Sequence, residues 1–477
     1  MSTHSILDPV LKDILRAITP LKEDWVVRFQ IIDDLRVVVE SIESLRGATV
    51  EPFGSFVSNL FTRWGDLDIS IELPIGSYIS STGKKRKQML LVELLSALKM
   101  KGGCRSLQFI SNARVPILNF KSNRQGISCD ISIDNLLGQM KCKVLLWINK
   151  IDDRFHDMVL LVKEWAKTHG INNSKTGTFN SYSLSLLVIF HFQTCVPAIL
   201  PPLKDIYPRN MVDDLRGVRA DAEKLIAETC EANISRFKSD RLRPINKSSL
   251  SQLFISFLAK FSDINSMASE MGICPYNGKW EQIQSNTRWL PKTYAIFVED
   301  PFEQPQNTAR SVSAGQLERI SGVFQSTRHR LASGNLDQSS LLAELAQPRV
   351  SRFIMGPPSW NPNYSYSNNG GMYPPTRPHM QRVRQPPQQT QHRYDSQGTL
   401  STARGPVQPS PKTQHFQNGS QGTRSNNSAT TTRGSMQASA KTQELYFQKG
   451  SQGTSSNNSA KTTRGPAQQI WRQRSNT

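Results

Sequence analysis

Asp66 and Asp68 are the first residues of this sequence whose types and spacing could do chemistry. They stand two apart in WGDLDISIEL, where Asp66, Asp68, Ser70 and Glu72 alternate with Leu67, Ile69, Ile71 and Leu73. Such alternation predicts a strand, so both carboxylates leave one face with their Cα atoms ~7 Å apart. A second run sets Ser128, Asp130, Ser132 and Asp134 against Ile127, Cys129, Ile131 and Ile133. If the two strands are neighbours, Asp130 converges on the first pair. Carboxylates that close raise one another's pKa unless cations neutralise them. Two divalent ions ~4 Å apart would do so, while activating an attacking hydroxyl and stabilising the leaving oxygen of a phosphoryl transfer. Taken alone, the pattern is equally that of two strands with polar solvent faces.

Gly54-Ser55 precedes Asp66 by about a dozen residues and opens a short helical stretch. Glycine lets a backbone approach closely, and a serine hydroxyl with helix N-terminal N–H groups can hold a phosphate. Around these segments the elements are legible. Arg86–Lys101 places Met89, Leu90, Leu94 and Leu98 on one helical stripe, stopped by Gly102-Gly103. Arg114–Phe120 is a third strand candidate, and helices dominate from Asp153, beginning with Asp157–Lys167 and Tyr182–Gln193. The strands are expected to pack on one side only.

Composition bounds the rest. The chain has 477 residues, with 58 Lys+Arg against 38 Asp+Glu for a net charge of +20, which favours a polyanionic partner. Residues 351–477 carry 15 Lys/Arg and only Asp395 and Glu444, so +13 of that charge lies there. The six cysteines form no CxxC pair, which signals neither zinc nor a disulfide framework and fits a reducing compartment. No apolar run approaches the ~20 residues of a membrane span, and no signal peptide opens the chain, so a soluble, unsecreted protein is expected. His156, His169 and His191 lack ligand spacing.

The combination of Gly-Ser, ten residues, Asp-x-Asp in an alternating strand and a distant third strand Asp resembles the nucleotidyltransferases of the DNA polymerase beta superfamily. VKEWAKTHGINNSKTGTFNSYSLSLLVIFHFQ from Val162 and VEDPFEQPQNTARSVS from Val298 resemble the noncanonical poly(A) polymerases and terminal uridylyltransferases. CDISIDNLLGQ, PAILPPLKDIYP and WLPKTYAIFVEDPFEQP are similar to the plant members that tail small RNAs lacking 3′-terminal methylation. The resemblance covers roughly residues 1–330. It implies an α/β nucleotidyltransferase (polymerase beta-like) domain over 30–150 and a mostly helical central domain over 151–330, joined by N-terminal helices from 1–29. The active site would lie between them. It further implies UMP transfer from UTP to RNA 3′-hydroxyls, with Mg²⁺ or Mn²⁺ held by Asp66, Asp68 and Asp130, and Asp130 helping to deprotonate the hydroxyl. Gly54 and Ser55 would hold the triphosphate, Lys163 and Lys167, four apart on one helix face, its β- and γ-phosphates, and Ser181 a further phosphate oxygen. Tyr182 would stack on the base, Asp300 would read its edge within a loop shaped by Glu299, Pro301 and Phe302, and Arg310 would close that motif. Arg114 is a candidate RNA contact or a surface cation. Gln306 stands where many uridylyltransferases have a His, and Lys141 where the family Asn meets the ribose 2′-hydroxyl, so UTP selection has no assigned residue.

Residues 331–477 are read as a disordered, basic Gln/Asn/Ser-rich tail. FQNGSQGTRSNNSATTTRG from Phe416 returns as FQKGSQGTSSNNSAKTTRG from Phe447, with too few apolar residues to stack as a solenoid. Its cations and interspersed aromatics suit RNA, or linear motifs for a partner such as an Argonaute, and its Gln/Asn content permits entry into RNA granules. Nucleus and cytoplasm are expected from the resemblance. The rivals are an ATP-using poly(A) polymerase, a non-catalytic RNA- or Argonaute-binding adaptor, and, weakest, a 2′–5′ oligoadenylate synthase.

Overall fold

A computed structural model describes residues 3–74, 78–79, 82–290, 294–334 and 336–356. Of the expected tail, residues 357–477 lie outside the described residues. Two helices, α1 (Thr3–Ile18) and α2 (Lys22–Glu40), lead into β1 (Thr49–Phe53), the single turn α3 (Gly54–Val57) and β2 (Leu67–Glu72). Next come α4 (Lys84–Lys101), the meander β3 (Cys104–Ile110), β4 (Ile117–Ser122) and β5 (Ser128–Ile133), and then α5 (Leu136–Asn149). The sheet order is β1-β2-β5-β4-β3, antiparallel except for the central pair β2 and β5.

The odd residues of β2 and β5, among them Ile69, Ile71, Cys129 and Ile131, are fully buried against Trp25, Phe29 and Leu35 of α2 and Leu90, Leu91 and Leu94 of α4. Met89, expected on that helical stripe, is instead exposed, and Leu91 is buried in its place. The even face is not open to solvent as expected. Ser70, Glu72 and Ser132 are also buried, as suits a parallel strand pair covered on both sides. Glu72 is stabilised there by Gln139 Nε2 at 2.6 Å and Arg219 Nη1 at 2.6 Å, so its charge is paired and hydrogen-bonded.

The helical lobe comprises α6 (Asp153–Thr168), α7 (Ser181–Gln193), α8 (Met211–Asp214), α9 (Arg219–Ser239), α10 (Leu250–Phe261) and α11 (Ile264–Met267). A small hairpin, β6 (Met271–Cys274) with β7 (Lys279–Gln282), is followed by α12 (Ala314–Ala332), α13 (Gln338–Leu345) and α14 (Pro348–Met355). Its core is separate from that of the sheet and takes in α1, α5 and residues as late as Val350.

These cores move three sequence-based boundaries. The first 29 residues do not travel together, because Leu7, Val10 and Ile14 of α1 pack into the helical core whereas Trp25 and Phe29 of α2 pack under the sheet. Likewise α5, assigned to the domain ending at 150, buries Met140, Val144 and Ile148 in the helical core. Nor does the fold stop at 330. α12 runs through that point, and Leu341, Leu342, Leu345 and Val350 supply apolar contacts that a composition read over long windows dilutes.

Candidate active site

The parallel pairing sets Asp68 directly opposite Asp130 on the next strand, and Asp66 lies at the entrance to β2 on the same face. Neighbouring strands lie ~4.8 Å apart, so the convergence that the alternation made conditional is realised. Asn119 of β4, itself opposite Asp130, donates from Nδ2 to Asp130 Oδ1 at 2.5 Å. The sequence reading passed over Asn119, although its place in the Arg114–Phe120 strand could have offered it as a partner to Asp130.

Burial first, then Asp130 and Asp66, push the Asp68 carboxyl up to about 7, against the pull of Lys163 and the Ser55 N–H. Asp66 is open to solvent yet sufficiently surrounded that lost hydration, with Asp130, raises it too, while Lys167, Lys163 and Arg28 oppose. Lys163 is buried on α6, donates to the Leu60 carbonyl at 2.7 Å, and is lowered to about 7 by burial and by Lys167, against Asp68 and Asp66. Acids from the sheet thus face cations from the helical lobe. Leu161 and Trp165 point into the core.

Gly54 is required by two independent features. Its φ is +69°, and a Cβ would lie 1.9 Å from Asp68 Oδ2. Its N–H donates to Cys142 Sγ at 3.0 Å, tying the turn to α5. Arg28, unremarked in the sequence, fixes the other approach to the acids: its guanidinium donates to the carbonyls of Arg63 at 3.1 Å and Gly65 at 2.6 Å.

A second cluster joins the lobes. Lys141 Nζ lies 2.5 Å from Asp300 Oδ2 and 2.7 Å from Glu303 Oε2, and Arg114 forms a two-pronged pair with Glu303. Tyr182, half-buried at the start of α7, donates to Asp300 Oδ1 at 3.2 Å, and Lys141 Nζ stands 5.8 Å from its ring centroid. Burial, followed by Asp300, raises the phenol far above its ordinary value. The expected RNA contact Arg114 therefore has its guanidinium engaged by Glu303. Lys141 faces the Asp300 loop with a cation where the resemblance has an amide.

Ser181 exchanges a hydrogen bond with the Asn172 amide at 3.3 Å. In the Asp300 loop, Glu299, Pro301 and Phe302 are buried, and Asp300 N–H donates to the Gln306 carbonyl at 2.8 Å. The Gln306 side chain is half-exposed and makes no hydrogen bond among the described residues. Arg310 is not drawn in: Ala309 and Val312 turn inward, which leaves the arginine exposed. His191 is buried and held near 3 by desolvation, His169 Nε2 lies 2.9 Å from the Glu344 carbonyl, and His156 Nδ1 lies 2.9 Å from Asp157.

An oxygen-only donor set suits Mg²⁺ or Mn²⁺, and carboxyls raised first by burial and then by one another are groups whose charge a cation would compensate. The three acids therefore fit such an ion chemically. Among the described residues, no three Asp, Glu, His or Cys side chains are drawn together into a ready coordination shell. A cavity of about 250 Å³ lies toward the far end of β2, lined by Glu72, Leu73, Asp134 and Arg219 among others, and none of the acids at 66, 68 and 130 lines it.

Sheet order, acid placement and the helical partner define a nucleotidyltransferase of polymerase beta type. Residues 7–149 match the family described as poly(A) RNA polymerase, mitochondrial-like, central palm domain. The chain is 58% identical over 388 residues to Protein HESO1 of Arabidopsis thaliana, covering 81% of this chain and 76% of that one. It is 27% identical to human poly(A) RNA polymerase GLD2, over 68% of this chain and 63% of GLD2, so it spans less than two thirds of that relative. The Cid1 poly(U) polymerase structure superposes with a TM-score of 0.56 at 23% identity, covering 72% of this chain and 99% of Cid1. The chain belongs, together with Protein HESO1, to the noncanonical poly(A) polymerase and terminal uridylyltransferase family of template-independent RNA nucleotidyltransferases.

Proposed function

We propose that this protein transfers UMP from UTP to the 3′-hydroxyl of small RNAs whose ends are unmethylated, and of RNA cleavage fragments, marking them for decay. The observation that carries the chemistry is the placement of Asp68 opposite Asp130, with Gly54 against the same carboxylate. The extensive likeness to HESO1 supports the uridylyl branch.

In this reading Asp66, Asp68 and Asp130 hold Mg²⁺ or Mn²⁺, which when bound neutralises developing charge and activates the attacking hydroxyl. Asn119 orients Asp130, placing a carboxylate oxygen to accept the proton of the RNA 3′-hydroxyl. Gly54 and Ser55 receive the triphosphate, and Lys163 and Lys167 balance its charge from the opposite lobe. Ser181 adds a phosphate contact. Tyr182 offers its ring to the base, while Asp300, fixed by Lys141, and the unengaged Gln306 amide meet the base edge. Gln306 can both donate and accept. The ammonium of Lys141 can only donate, which suits a uracil carbonyl better than an adenine amine. Argonaute contact through residues beyond 356, and residence in nucleus and cytoplasm, complete the proposal.

The substrate test compares a 21-nucleotide RNA ending in a 2′,3′-diol with the same RNA carrying a terminal 2′-O-methyl group. The ribose edge must pack close to the acids for in-line attack, so the methylated RNA should be extended at least about tenfold more slowly. Equal extension would refute the substrate assignment.

The raised Asp68 carboxyl gives a pH prediction. Below about 7 it keeps its proton, and a cation must displace that proton to bind. Apparent Mn²⁺ affinity should therefore rise about tenfold per pH unit below 7 and level off above it. The thermal shift produced by Mn²⁺ in the absence of nucleotide, measured from pH 5.5 to 8.5, should grow with pH in that form. A shift that shrinks or stays flat would contradict cation binding at Asp68.

A further inference from the structure

Two residues before Asp66, Trp64 lies at the surface, 36% exposed. The Arg349 guanidinium sits 4.6 Å from its ring centroid and that of Arg63 5.8 Å. Arg63 also lies 5.2 Å from the ring of Phe353, which is 58% exposed. The residues at 349, 352 and 353 come from α14. Its inner face docks Val350 and Ile354 into the helical core, so the spacing of four that buries 350 and 354 presents 349 and 353 outward. Arg63 shares its charge with Asp24 at 3.2 Å, whereas Arg349 and Arg352 have no acid partner among the described residues. The result is an exposed surface of two aromatic rings interleaved with the guanidinium groups of Arg63 and Arg349, with Arg352 exposed beside them on α14, its Nε donating to the Pro348 carbonyl at 3.3 Å.

This surface is rigidly coupled to the acids. Arg28 holds the carbonyls of Arg63 and Gly65, on either side of Trp64 and immediately before Asp66, and Arg63 N–H donates to the Ile18 carbonyl at 2.9 Å. We propose that Arg63, Trp64, Arg349, Arg352 and Phe353 form a docking platform for the single-stranded 3′ segment of the acceptor RNA, just upstream of the reacting end. The inference rests on the RNA-transferase reading above and adds the surface that receives the strand.

Cations without acid partners attract the phosphate backbone, and exposed rings between them offer stacking faces to unpaired bases. An acidic peptide would match the charge but leave the rings unused. The chain following α14 is a poor occupant, because residues 351–477 have 15 Lys/Arg against two acids and would meet the arginines with like charge. Proximity to Asp66 suits a strand whose terminal hydroxyl must arrive there.

The test uses the full chain and two variants, Trp64→Ala and the double substitution Arg349→Ala with Phe353→Ala, each checked by thermal melting. Fluorescence anisotropy with labelled 21-nucleotide single-stranded RNA gives affinity and its salt dependence, and steady-state extension gives separate KM values for RNA and UTP. Each variant should weaken RNA binding and raise KM for RNA at least about fivefold, the double variant should flatten the salt dependence, and KM for UTP should stay unmoved. RNA affinity within twofold of wild type in both folded variants would overturn the platform. So would tighter RNA binding, which would mean that the chain itself covers the surface. If wild type binds RNA through these residues but adds no nucleotide, the transferase reading fails while the platform stands.

Discussion

Gly54→Ala should reduce uridylyl transfer to about one per cent of wild type or less while leaving most of the fold in place. The added methyl would fall 1.9 Å from Asp68 Oδ2, inside any van der Waals contact, at a backbone φ of +69°. The left-handed conformation alone costs a non-glycine residue about 1–2 kcal/mol. The collision leaves two escapes: Asp68 swings out of line with Asp130, or the turn moves and surrenders the Gly54 N–H bond to Cys142 and the Ser55 N–H bond to Asp68. Either displaces a group meant to grip the reacting phosphate, and misplacement by about 1 Å costs on the order of 100-fold. Stability should fall by about 1–3 kcal/mol. Near-normal transfer with the melting temperature unchanged would show that the turn does not shape the site.

Replacing Asp66 and Asp68 together by Ala should reduce transfer by at least about 1000-fold, because both the cation site and the in-line geometry depend on them. The same site argues for an opposite effect on stability. Asp68 is raised to about 7, so its folded carboxyl binds a proton more tightly than the unfolded one. The stability this confers is full below the unfolded value and is lost as pH rises through about 7. At pH 8 the ionised group opposes folding. Asp68→Asn should therefore be inactive yet melt a few degrees higher than wild type at pH 8 without metal, an advantage that fades toward pH 5. A lower melting temperature at pH 8 would mean that the carboxylates are compensated within the protein itself and need no cation.

The parts of the fold that were legible in the sequence share one property: their signal is local. β2 and β5 announce themselves by alternation, and α4, α6 and α7 by periodicity and stops, because each pattern completes within about ten residues. β1 was missed because TVEPF is short and contains Pro52, and β3 because CRSLQFI is largely half-exposed and mixes polar and apolar positions. Burial of Glu72 could not be read, since its partners Gln139 and Arg219 lie far along the chain, and the burial of Ser70, which donates to Glu72, goes with it.

The site divides in the same way. The three acids and Gly54 came from spacing, and the lysines from a motif. The Lys141–Asp300–Glu303–Arg114 cluster unites residues more than 150 positions apart, so nothing short-range in either segment reveals it. Arg28 lay unseen inside an ordinary amphipathic helix, although three backbone carbonyls converge on it. α14 fell within a region judged by its composition, and eight residues of good helix do not alter the average of a stretch more than a hundred residues long.

The most direct test of the central claim incubates the full chain with a labelled 21-nucleotide RNA bearing a free 2′,3′-diol, Mg²⁺ or Mn²⁺, and one nucleoside triphosphate per reaction, beside the Asp66/Asp68 double-alanine variant. The site and its kinship predict extension with UTP well above that with ATP, CTP or GTP, and none in the variant. Extension chiefly with ATP would place the protein among poly(A) polymerases, and extension that survives loss of both aspartates, or is absent from every wild-type reaction, would contradict the catalytic site itself.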